Sequence, residues 1–120
     1  MIENAKITNI ALHFQDYSLL TLDICLEGNG WGCVYGNRVL GKAYVGRKEQ
    51  DFTASDKGLI AIMRIMDLLE INDLYEAKGK YVRCEIEGGW GGTVTKIGNI
   101  VKDKWFRYED IFMEVNDDKS

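Results

Sequence analysis

Residues 19–27 read LLTLDICLE, and their alternation decides the fold. Leu20, Leu22, Ile24 and Leu26 interleave with Thr21, Asp23, Cys25 and Glu27. One face is apolar and the other wetter, which is the two-residue period of a half-buried β-strand. Upstream, ITNIALHF (7–14) sets Ile10, Leu12 and Phe14 against Asn9, Ala11 and His13, and DYS (16–18) supplies turn chemistry, so the two segments predict an antiparallel hairpin. Downstream, WGCVYGN (31–37) and RVLGKAYVG (38–46) predict two more short strands with Gly36 and Asn37 as the turn between them. The N-terminal half reads as a meander.

The period then changes. In TASDKGLIAIMRIMDLLEI (53–71), Leu59, Ile62, Met63, Met66 and Leu69 fall at helical spacing, and Thr53 with Asp56 resembles a capping box. A helix is predicted over about 55–69. Ile60, Ile65 and Leu68 widen its apolar surface beyond one stripe, which points to a second element or a second copy of the chain against it. INDLYEAKGK (71–80) holds a short helical turn and ends in a Gly turn. YVRCEIE (81–87) alternates again, with Val82, Cys84 and Ile86 on one face, and a sixth strand follows in GGWGGTVTKIGNIV (88–101). KWFRYEDIFMEV (104–115) gives an aromatic cluster and a short amphipathic helix before an acidic tail that should fray after about residue 115. The expected class is α+β: about six strands, mostly antiparallel, one long helix and a short C-terminal helix in one ligand-binding domain over 1–120.

At 120 residues, 46% hydrophobic and 28% charged, the chain can bury a core of its own. It has no membrane-length apolar run and no secretory h-region. Three cysteines (Cys25, Cys33, Cys84) outside any zinc spacing read as reduced cytoplasmic thiols. A net charge of −4 argues against a general binder of duplex nucleic acid, whose affinity comes from neutralising phosphates. Locally the balance reverses. Arg38, Lys42, Arg47 and Lys48 form one acid-free run, and Lys96, Lys102, Lys104 and Arg107 face only Asp103 in another. The competing reading of both is solvated strand edges.

Enzymatic motifs are missing from the sequence. The single histidine, His13, falls on the wetter face of its strand, and no hydrolase, Walker or Rossmann fingerprint occurs. What stands out is a phrase written twice: EGNGWGCV (27–34) and EGGWGGTV (87–94). Glycines let backbone N–H groups approach a ligand and form anion-favouring nests, and an indole beside them can stack a base, worth about 1–3 kcal/mol. Trp31, Trp90 and Gly91 are therefore candidate ligand-binding residues. The plainer reading has the phrases as Gly-bulged corners with both indoles in the core. Arg64, the one cation in GLIAIMRIMDLLEI, could stack on a base or clamp phosphate, or could pair with Asp67 or Glu70. Asn99 could read a base edge or a ribose hydroxyl, with Lys96 and Lys104 nearby to supply charge, or could simply shape a turn.

The opening MIENAKIT, the doubled phrase, IMRIMD, GKYVR and IGNIVKDKWF, in that order from Met1 to about Phe106, resemble the first Thoeris anti-defence family of small phage proteins. Residues 47–52 and the tail after Phe106 match none of its motifs. The resemblance implies a sponge in the cytoplasm of an infected bacterial host. Such a sponge sequesters, without cleaving, the cyclic ADP-ribose isomer that TIR proteins make, and some relatives also hold cyclic oligonucleotides. It further implies a homo-oligomer with pockets shared between subunits, no cofactor, no metal and no membrane partner. With a ligand of adenine, two riboses and a pyrophosphate, it suggests Trp90 and Arg64 around the base, Asn99 on a polar edge, and glycine amides with Lys96 and Lys104 at the pyrophosphate. Two other classes stay open: a protein-interaction inhibitor of a defence effector, and an enzyme that degrades a cyclic nucleotide.

Overall fold

In the computed structural model, which describes residues 1–15, 18–36, 38–43, 52–54, 56–88 and 92–112, the alternating segment becomes strand β2 (Leu19–Gly28) at the heart of a sheet. Leu22, Ile24 and Leu26 are buried, as the period requires, and Thr21 is buried on the opposite face. β2 pairs antiparallel with β1 (Ile2–Gln15) in the expected hairpin. Asp16 and Tyr17 of its turn lie outside the described residues, as do Trp90, Gly91, Arg47, Lys48 and the acidic tail. β1 carries a bulge partway. Ala5 and Ile7 enter the core, the register slips between Ile7 and Asn9, and Ile10, Leu12 and Phe14 then share the face of their partners Ile24, Leu22 and Leu20, with Leu12 and Phe14 about half exposed.

The expected meander is not what forms. β3 (Trp31–Tyr35) and β4 (Val39–Ala43) do not pair with each other but lie end to end along one edge of β2. Gly36, therefore, does not turn a hairpin. It crosses beside the β2 backbone with φ 146°, where an added Cβ would sit 2.2 Å from the Leu22 carbonyl oxygen. β5 (Phe52–Ala54), not anticipated, extends the edge by pairing with β4. Its Thr53 lies in the strand, in register with Lys42, and does not cap the helix as the capping-box reading supposed.

Helix α1 (Asp56–Leu69) has nearly the expected bounds but a different inner stripe. Ala61, Ile65, Leu68 and Leu69 are buried, whereas Leu59 and Met63 stay more than half exposed. Gly58 brings the helix start against β4, since a Cβ there would meet the Leu40 carbonyl oxygen at 2.8 Å. The helix stops at Glu70, which takes a left-handed φ of 57°. A 3₁₀ turn, Leu74–Ala77, is capped by Asp73, and Gly79 (φ 93°) leads into β6 (Tyr81–Glu87). Its Val82, Cys84 and Ile86 are buried as expected.

β6 pairs with the start of β1 on one side and with β7 (Thr93–Asn99) on the other, and β7 pairs with a short β8 (Trp105–Phe106). The chain is helical again at residues 109–112. Phe106, Tyr108 and Phe112 form the expected aromatic cluster and Tyr35, not anticipated there, joins it, with ring centroids 4.9–6.1 Å apart. Among the described residues this is an α+β fold: an antiparallel sheet of eight strands ordered β5-β4-β2-β1-β6-β7-β8, with β3 on β2, one long helix and short helical turns. None of the described helices is long and apolar enough to cross a membrane.

Candidate functional site

Both copies of the doubled phrase fall at hairpin ends, and the topology puts those ends together. The first closes β2 onto β3 through Asn29 and Gly30, with Gly28 and Trp31 as the last pair and Gly30 at φ 81°. The second lies between β6 and β7, whose outermost pair is Glu87 with Thr93. β1 runs between β2 and β6 and begins at this end, with Ile2 opposite Glu85 and Lys6 opposite Glu27. The β2–β3 turn and the ends of β6 and β7 therefore flank the start of β1. A cleft of about 410 Å³ opens there, lined among others by Glu3, Asn29, Trp31, Cys33, Gly92 and Val94. Small-molecule sites usually span roughly 300–1,000 Å³.

The glycines next to Trp31 have a measurable reason. Its indole lies across the α-carbon of Gly28, where a Cβ would fall 2.1 Å from the ring, so any other residue would dislodge the side chain. The ring is further fixed by its Nε1–H, which donates to Glu3 Oε1 at 3.0 Å. Trp31 thus packs partly against the core and still lines the cleft. The Cys33 thiol beside it is pushed above its ordinary value by burial and then by Cys25, so it stays protonated at neutral pH.

The remaining candidate residues gather elsewhere. Arg64 and Lys104 line a second recess of about 270 Å³ with Asp67, Leu68 and Trp105. Lys104 Nζ stands 3.6 Å from Asp67 Oδ2, Lys102 pairs with Glu70, and Arg64 makes no ion pair among the described residues. Trp105 was not singled out from sequence. It repeats the Trp31 arrangement, its ring lying on its cross-strand partner Gly98, where a Cβ would come within 2.6 Å. The Arg83 guanidinium and the Lys96 ammonium sit 4.6 and 4.7 Å from its ring centroid. The available cue was the seven-residue separation of Gly98 and Trp105, which a hairpin converts into a facing pair, but only if the turn between them is known.

Asn99 serves the backbone. Its Nδ2 donates to the Leu68 carbonyl at 2.7 Å, and its Oδ1 accepts from the Val101 and Lys102 amides, both at 2.9 Å. One N–H is left for a ligand. His13 is exposed as expected and bonds Asp23 at 2.7 Å. Among the described residues no group of three or more His, Cys, Asp or Glu could hold a metal ion. The structure thus sorts the candidates into a tip cleft (Trp31) and a basic aromatic recess (Arg64, Lys104, with Lys96 on Trp105), while Trp90 and Gly91 lie outside the described residues. No protein-family model, curated protein or solved structure matches the chain.

Proposed function

We propose that the protein binds a cyclic ADP-ribose isomer and holds it uncleaved, acting as a sponge of the first Thoeris anti-defence type in the cytoplasm of an infected bacterium. The observation that carries this reading is one cleft where the β2–β3 turn meets the ends of β6 and β7, with Trp31 anchored on Gly28 in its wall. An anchored ring loses little freedom on stacking a base, and bare main chain beside it admits a phosphate. Arg64, Lys104 and Trp105 offer a second aromatic and cationic surface on the same chain. Arg64 adjoins the exposed Leu59 and Met63 stripe of α1, so a second copy covering that stripe would also close the recess. In this reading the assembly is a homo-oligomer with shared pockets.

The test incubates pure protein with the cyclic signal, removes free ligand, heats the complex and identifies what emerges. Intact signal is the expected product. Linear ADP-ribose would mean an enzyme, and no captured nucleotide together with a stoichiometric host protein in a pull-down would favour the interaction inhibitor. Sedimentation should show a species larger than one chain that Leu59→Asp with Met63→Asp reduces to monomer. A wild-type monomer at all concentrations would remove the shared pocket.

A further inference from the structure

A third cavity, of about 430 Å³, lies where the two basic runs of the sequence meet. Arg38 heads the first run and Arg107 ends the second, and both line this cavity together with Thr93, Thr95, Glu87 and Glu109. Val94 lines it and the tip cleft alike, and Val34, Glu87 and Thr93 in its wall directly follow Cys33, Ile86 and Gly92 in the wall of the other. The two cavities are successive parts of one trough between β3 and β7: an indole and glycines at one end, two guanidiniums at the other. The phenol rings of Tyr35 and Tyr108 are buried in the wall of the second part.

Each guanidinium currently holds a carboxylate. Arg38 Nη2 donates to Glu109 Oε2 at 2.5 Å, and Arg107 Nε and Nη2 donate to Asp110 Oδ1 at 3.2 and 2.8 Å. All four side chains are more than two-fifths exposed, and exposed pairs of this kind add little to stability, so the arginines can change partner at small cost. Planar guanidiniums suit two-point contact with phosphate oxygens. From this geometry we propose that Arg38 and Arg107 form a phosphate subsite at the far end of the trough, with Glu109 as the built-in competitor for it. The choice of phosphate over carboxylate rests on the function proposed above; the site itself does not.

The experiment titrates the full chain with inorganic pyrophosphate at low ionic strength by calorimetry, with malonate as the carboxylate control. Saturable pyrophosphate binding is expected. It should weaken at least tenfold in Arg38→Gln with Arg107→Gln and tighten about threefold or more in Glu109→Gln. A Glu109→Gln chain that binds more weakly, a double variant that binds as well as wild type, or no saturable binding to wild type overturns the proposal, and malonate bound equally well overturns the choice of phosphate. Should the double variant fail to fold, the guanidinium Nε–H resonances of wild type decide. Shifts at Arg38 and Arg107 support the subsite, and shifts confined to other cations refute it. Pyrophosphate bound without capture of the cyclic signal would end the sponge reading and leave this site standing. Capture of the cyclic signal by a wild-type chain that shows no saturable pyrophosphate binding would do the reverse.

Discussion

At Gly28 and Gly98 the side chain is a single hydrogen because an indole occupies the space above it. Glycine inside a strand usually weakens it, and a facing aromatic ring restores the lost contact. Gly98→Ala would push a Cβ into the Trp105 ring and should cost about 1–3 kcal/mol in chemical denaturation, the range for overpacking. A cost near zero would show that the ring moves freely and is not anchored. The sequence displayed the Trp31 partnership openly, because Gly28 and Trp31 are neighbours in one phrase. It concealed that of Trp105, whose glycine lies on another strand. Asn99 was ambiguous for a related reason: its main acceptor, the Leu68 carbonyl, is 31 residues away, and no local pattern reveals it.

Elements were legible where one periodicity dominated. β6 buries the set its alternation names, and β2 buries Leu22, Ile24 and Leu26 of its set but leaves Leu20 half-buried and buries Thr21 of the other. α1 carries two apolar stripes, and spacing alone could not say which one meets the sheet. Packing decided for the stripe with small Ala61, which lets the helix come close, over the one with Leu59 and Met63. Ile65→Ala should therefore destabilise the monomer by about 2–5 kcal/mol, while Met63→Ala should change it by no more than about 0.5 kcal/mol. Equal losses in thermal unfolding of dilute protein would reverse the assignment. The bulge in β1 was hidden for another reason. Ile10, Leu12 and Phe14 are out of step with Ala5 and Ile7, and only the slip after Ile7 brings them to the face of the buried set, opposite Ile24, Leu22 and Leu20.

Across the whole molecule, the sheet is tied to the C-terminal segment through Tyr35 and Tyr108. Burial, reinforced by Tyr108 and Glu109, drives the Tyr35 phenol well above its ordinary 10.0, and burial followed by Asp23 raises Tyr108 to about 12. The folded state thus favours the neutral phenol. Its contribution is complete below the unfolded value of 10.0 and is lost as pH climbs toward about 12. Phenolate absorbance should show Tyr35 and Tyr108 ionising after the exposed Tyr75 and Tyr81, together with unfolding, and Tyr108→Phe should flatten the fall in stability above pH 10. Ionisation of Tyr35 and Tyr108 along with Tyr75 and Tyr81 before any unfolding would contradict the burial of this pair.

One detail of the sheet bears on how the molecule can respond. Because β3 and β4 share a single edge of β2 without bonding to each other, with Gly36 crossing between them, the edge is divided into two separately fastened lengths. The length bearing Trp31 walls the cleft, while the other meets α1 where Gly58 lies against Leu40. Cleft wall and helix support thus hang from different stretches of one strand.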